Sequence, residues 1–166
     1  MSMQINAVGT VLNNADSNQT TAKSTTEDFQ TMLPGKLNED DQMMYDELKN
    51  AGVDLVKNPL SWQKQHVKSL AFPPFTAPAS VKKAWIAQMN QLPADQKKQI
   101  QHDSSTLWLH ALRSNQSLET DVHQTGFSYD AFMTELIHTA GKLSQTLSNA
   151  GSTVSFLSEF QKTLKA

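Results

Sequence analysis

The chain of 166 residues contains no cysteine, which removes disulfides, thiolate metal sites and a cysteine nucleophile together. Compartment stays open on this point, because a cysteine-free chain suits both export and the cytosol. Arginine is nearly missing too, with Arg113 the single one. Bidentate recognition of bases and phosphates relies on Arg, and the formal net charge is only −2, so nucleic acid is not an expected partner. No apolar run approaches the roughly 20 residues of a membrane helix, and no membrane span is expected. The opening Met1-Ser-Met-Gln-Ile-Asn6 has neither a basic n-region nor a continuous apolar h-region. The expectation is a soluble protein that stays in the cytoplasm or is exported without a conventional signal peptide. The six glycines fall in no G-x-x-x-x-G-K or G-x-G-x-x-G pattern, so no phosphate-cradling loop is indicated.

Residues 1–28 are rich in Ser, Thr, Asn, Gln and Ala, carry four charges (Asp16, Lys23, Glu27, Asp28), and precede the first aromatic, Phe29. Such a stretch buries too little surface to offset its ordering entropy. Ile5, Val8, Val11 and Leu12 are the exception: their spacing makes a small apolar stripe that could order as a helix on a partner. Pro34-Gly35 marks a turn. The organisation expected is a polar, disordered segment over 1–36 and a single helical domain over 37–166, long enough for one modest core. Charge is unevenly spread. Eight acids (Glu27, Asp28, Glu39, Asp40, Asp41, Asp46, Glu47, Asp54) against Lys36 and Lys49 give 27–56 a net −6, and seven lysines against Asp95 give 57–98 a net +6. Mixed-sign surfaces are ordinary, and mutual neutralisation is the simpler reading than two faces for different partners.

Helical periodicity runs through the rest, with no alternating strand pattern and no internal repeat. Asn38 is a predicted N-cap, followed by Glu39, Asp40 and Asp41 where the helix dipole favours acids. Leu37, Met44, Leu48, Ala51 and Leu55 share one face, and Gly52 ends or bends that helix. Asn58-Pro59 is a break, and 61–70 reads as a short second helix. Phe72-Pro-Pro-Phe-Thr-Ala-Pro78 reads as a stiff non-helical linker whose two phenylalanines plug the core. Ser80 is a predicted cap for a third helix carrying Val81, Trp85, Met89 and Leu92, and Pro93 suits the first turn of a fourth. Ile100, Leu107 and Ala111 continue one face there, but His102-Asp-Ser-Ser-Thr106 is poor helix material and predicts a split. Ser128 caps a fifth helix, with Phe132, Leu136, Ala140, Leu143 and Leu147 in the clearest amphipathic pattern of the chain. Asn149-Ala-Gly151 breaks it before a last stripe of Val154, Leu157, Phe160 and Leu164, predicting an antiparallel hairpin. The fold class expected is all-α: a small bundle of five or six helices behind a polar N-terminal tail.

Candidate chemistry is sparse. Glu135-Leu-Ile-His138 places two ligand types on one helical face, as di-iron bundles do, but such sites need a second pair and further carboxylates. Glu119 and His123 have the wrong spacing, and neither a metal nor a cofactor is expected. His102-Asp103-Ser104 holds the residue types of a hydrolase triad, yet three consecutive residues cannot form that relay, and no G-x-S-x-G elbow occurs. Lys82-Lys83 and Lys97-Lys98 read as a solvated face. Trp62, Trp85 and Trp108, with seven methionines, fit either a core or an adaptable peptide groove.

The expected function is therefore non-enzymatic protein–protein interaction, as an adaptor, regulator or accessory, with another protein as partner and Ile5, Val8, Val11 and Leu12 as candidate partner-binding residues. The alternative is a metal-dependent helical-bundle enzyme drawing on His102, His110, His123 or His138 with carboxylates from other helices. The polar N-terminal tract leading into Phe29-Gln-Thr-Met-Leu33 resembles the leader of bacterial type III or flagellar export substrates. That resemblance covers about thirty residues and implies a secretion-linked protein.

Overall fold

The computed structural model of the chain describes residues 37–124 and 126–165. Among them are seven helices and no strand: α1 (Glu39–Asn50), α2 (Leu60–His66), α3 (Ala79–Met89), α4 (Ala94–Ser114), α5 (Leu118–Asp121), α6 (Tyr129–Lys142) and α7 (Ala150–Lys165). The one helix absent from the periodicity is α5, a single turn too short to show a period. The chain divides into two compact units, Met1–Lys68 and Ser69–Ala166.

In the first unit, Asn38 caps α1 as its position suggests: its side chain accepts from Asp41 N at 2.8 Å, behind three acids in the first turn. Gly52 closes α1, adopting φ 82° while Gly52 N donates to Lys49 O and Val53 N to Leu48 O. This is a Schellman ending, which needs the left-handed conformation that glycine tolerates best. Asp54 Oδ1 then accepts from Val56 N and Lys57 N, turning the chain toward Pro59 and α2. Met44, Leu48, Leu60 and Val67 are the buried apolar residues here. Lys64 of α2 pairs with Asp41 of α1, so the acidic and basic segments do neutralise at this point. Helix α2 starts one residue earlier and stops four earlier than its periodicity suggested; Val67 already takes an extended conformation, ψ 141°.

The second unit holds a core drawn from α3 to α7 and the segment preceding α3. Phe72 lies within it, its ring 5.0 Å from Trp85, 6.4 Å from Trp108, 6.3 Å from Phe132 and 6.3 Å from Phe160. Trp85 and Phe160 meet it edge-on, the arrangement that aromatic quadrupoles favour. The segment 72–78 is non-helical as expected, but only one of its phenylalanines fills the core: Phe72 is buried and Phe75 half-buried. The connection is fixed by hydrogen bonds. Ser69 N donates to Glu119 Oε1 at 2.6 Å, Trp108 Nε1 to Ser69 O at 2.8 Å, and Phe75 N to Ser69 Oγ at 2.8 Å. Thr76 Oγ1 donates to Glu119 O, Gln101 Nε2 to Phe72 O and Lys82 Nζ to Phe75 O. Lys82, read from sequence as part of a solvated face, is buried.

Two other local expectations change. Ser80 does not cap α3, which starts at Ala79 behind Pro78 with no side-chain cap. Helix α4 runs unbroken through 102–106. Ser105 Oγ bonds back along the helix to Gln101 O and Thr106 Oγ1 to His102 O, while Asp103 finds partners outside it.

Helices α6 and α7 form the expected hairpin. Ser128 Oγ accepts from Ala131 N at 3.2 Å and caps α6. Phe132, Leu136 and Ala140 are buried on α6, and Phe156, Leu157 and Phe160 on α7. The stripe outlasts the helix: Leu143 and Leu147 lie in the turn after Lys142, Leu147 still buried and Leu143 partly so. Asn149 rather than Gly151 marks the restart, with its side chain accepting from Ser152 N, and Gly151 belongs to α7. Leu136→Ala is expected to cost about 2–5 kcal/mol, as for other buried leucines, and Leu143→Ala less. Urea-unfolding midpoints of the two variants check that order.

Candidate functional site

Asp103, singled out within the apparent triad, is fully buried on α4. It follows Ile100 by three residues and precedes Leu107 by four on the inward stripe, spacings that keep a residue on one helical face. Its carboxylate faces the N-terminus of α7. Oδ1 accepts from Ser148 N at 2.8 Å, and Oδ2 accepts from Asn149 N at 3.1 Å and Thr153 Oγ1 at 2.9 Å. His102 Nδ1 adds a longer bond of 3.3 Å to Oδ1. Burial alone would raise this pKa, but the bonds from Ser148, Asn149, Thr153 and His102 outweigh it and hold the carboxyl below the usual aspartate value. An anion at a helix N-terminus also gains from the helix dipole. Three of the four bonds to Asp103 tie α4 to the start of α7, and its role is a cap supplied from a distant helix.

The other titratable candidates lie apart. All five histidines are exposed, and so is Glu135. Among the described residues no three His, Cys, Asp or Glu side chains come together as a metal-binding group. Glu119 is buried, its Oε1 accepting from Ser69 N and its backbone carbonyl from Thr76 Oγ1.

The three tryptophans part company. Trp85 and Trp108 are core residues, and Trp62 is not. It sits in the first turn of α2 and is 44 % exposed. His66, one helical turn on, stacks on it with centroids 4.2 Å apart and planes 9° from parallel. His66 Nδ1 donates to Trp62 O at 2.8 Å; a carbonyl only accepts, so the proton lies on Nδ1. The ring pair is therefore held in one orientation at the surface. Val56, placed by the Asp54 turn, is 67 % exposed in the same unit.

A cleft of about 620 Å³ opens in the second unit between α3, α4 and α7. Gln88, Gln91, Gln96 and Gln99 line it together with Ser152 and Ser155, and Leu92, Ile100 and Phe156 provide its apolar lining. Glu159 is the only charged lining residue, and Lys162 Nζ lies 2.6 Å from its carboxylate. Gln88 Nε2 donates to Phe156 O at 3.0 Å, while its Oε1 is shielded from solvent and accepts no hydrogen bond. The four glutamines carried no motif, and only the folded chain brings them together. Ile5, Val8, Val11 and Leu12, the partner-binding residues expected from sequence, lie outside the described residues. No helix among the described residues is long and apolar enough to cross a membrane.

No protein-family model, no curated protein and no solved structure matches this chain.

Removing the buried cap is expected to be expensive. Asp103→Ala should lower stability on the order of 2–3 kcal/mol, because charged hydrogen bonds and a helix cap go together. Because the folded pKa is depressed, the carboxylate's contribution is full above its unfolded value of about 3.9 and is lost as pH falls through the folded one. Urea midpoints of the parent and Asp103→Asn should therefore differ at about pH 7 and draw together as pH falls below about 3.9.

Proposed function

We propose that the protein is a non-enzymatic interaction protein, an adaptor, regulator or accessory that works by binding another protein. The observation that supports this best is Trp62, nearly half exposed and stacked on His66. Tryptophan is among the residues most enriched at interface hot spots. A ring already held by a stacked neighbour and a helix loses less freedom on binding than a free one. Val56 in the same unit adds a second exposed apolar side chain. Asp103 is committed to capping, which leaves the residues of the apparent triad a structural use rather than a chemical one.

The N-terminal segment has the second part in this reading. Its polar composition and the stripe of Ile5, Val8, Val11 and Leu12 suit a stretch that orders on a partner or export component. On this view the N-terminal segment serves recognition or export rather than folding.

Two variants test the proposal. Trp62→Ala should move the thermal midpoint little, within the roughly 0.5 kcal/mol usual for surface changes, and should reduce capture of the native partner. A chain starting at Phe29 should keep the parent's midpoint and lose secretion by the host or partner capture. If both variants bind and are secreted like the parent, neither element is an interaction site. A large loss of midpoint in the truncated chain would instead make the N-terminal segment part of the folded structure.

A further inference from the structure

Trp62 and Val56 give the first unit an exposed apolar face. An occupant of this face in the free chain deepens the reading of Trp62 as an interaction site, and rests on that reading for its consequence. A second copy of the chain is a poor occupant. Two side chains offer far less than the roughly 800 Å² per partner that a stable dimer buries. So small a contact suffices where the occupant is tethered, because a short tether supplies an effective concentration on the order of millimolar.

The residues before Leu37 lie outside the described ones, and the place where they join the fold narrows the choice. They enter at Asn38, the cap of α1, and the first turn of α1 is tied to α2 by Asp41 and Lys64. Lys64 and Trp62 share the seven-residue α2. A helix with its side chains is about 10–12 Å across. Residues 34–37 reach about 13 Å when extended, enough to carry Leu33 around α2, and Pro34-Gly35 marks a turn within them. Ile5, Val8, Val11 and Leu12 are separated from the fold by a much longer tether, which lowers their effective concentration.

Composition points to the same short stretch. Phe29, Met32 and Leu33 fall at i, i+3 and i+4, the spacing that puts three side chains on one side of a helical turn. Phe29 is the first aromatic of the chain, and a methionine thioether packs favourably on aromatic rings such as Trp62. Charge is complementary as well. Glu27 and Asp28 directly precede Phe29, and no cation follows until Lys36. On the other side, Lys57 follows Val56 and Lys68 lies two residues beyond His66, both exposed. Lys57 has only a long, exposed contact of 3.7 Å with Asp54, a pairing of little strength.

We propose that Phe29, Met32 and Leu33 fold back onto the Trp62–Val56 face of their own chain, with Glu27 and Asp28 toward Lys57 and Lys68. A partner that uses Trp62 must then displace them, and the segment acts as an internal competitor.

The lack of cysteine makes a direct test possible. Thr26→Cys in the full-length chain takes a nitroxide label just ahead of the acidic pair, and the label broadens nearby signals in ¹H–¹⁵N spectra. The reporters are the indole N–H of Trp62 and the amide of Val56, with the indoles of Trp85 and Trp108 as references. A second labelled chain carries Phe29→Ser, Met32→Ser and Leu33→Ser, which keeps the tether and removes the apolar contact; circular dichroism melting verifies its fold. At an effective concentration on the order of millimolar, Trp62 and Val56 should lose about half or more of their intensity relative to the reduced label. Most of it should return in the triple variant. Equal broadening in the triple variant would reflect the tether alone and overturn the docking, as would broadening no greater than at Trp85 and Trp108. Broadening of an unlabelled ¹⁵N chain by a labelled ¹⁴N chain would make a second copy the occupant and overturn it too. Every reading is taken without a partner. Lost partner capture by Trp62→Ala with no broadening would therefore sink the docking and leave the interaction reading standing. Broadening with undiminished capture by Trp62→Ala would uphold the docking and sink only the interaction reading.

Discussion

An aromatic ring can occupy the middle of a core on a non-helical segment only if the backbone carrying it is satisfied without water. Helices solve that problem internally, and the connection holding Phe72 cannot. Here the solution has two parts. Pro73, Pro74 and Pro78 have no N–H, which removes donors that would otherwise need partners. Ser69 N, Ser69 O, Phe72 O and Phe75 O are met by side chains from three helices: Glu119 of α5, Trp108 and Gln101 of α4, and Lys82 of α3. Burial of Glu119 and Lys82 follows from this demand. The aromatic contacts of Trp85, Phe132 and Phe160 then assemble around a ring whose position is already set.

Much of this architecture was legible from spacing. The apolar stripes on α1, α4, α6 and α7 and the caps Asn38 and Ser128 stand where periodicity and local chemistry put them, because each depends on residues within one or two turns. Two of the misses share a cause. Asp103 looked like a helix breaker because its use lies at Ser148, Asn149 and Thr153, 45 to 50 positions away. Lys82 looked solvated because the carbonyl it reaches, that of Phe75, belongs to a loop and leaves no signal in the sequence. No local pattern announces a polar group whose partner is distant.

The candidate sites divide in the same way. Trp62 could be flagged by residue type, but its stacking on His66 and its exposure became visible only with α2 ending at His66. The cleft had no trace at all in the sequence: Gln88, Gln91, Gln96 and Gln99 are ordinary surface residues until α7 is laid across from them. What was legible of function was the absence of local motifs, and what was not was any juxtaposition between helices.

The buried carboxylate of Asp103 also imposes an order of events on a growing chain. Helix α4 is complete once Ser114 has been made, yet the donors that satisfy Asp103 extend to Thr153. Until that residue leaves the ribosome, closing the core around α4 would trap an ionised group with nothing to bond it. Synthesis from the N-terminus therefore keeps the second unit from closing until the start of α7 has emerged.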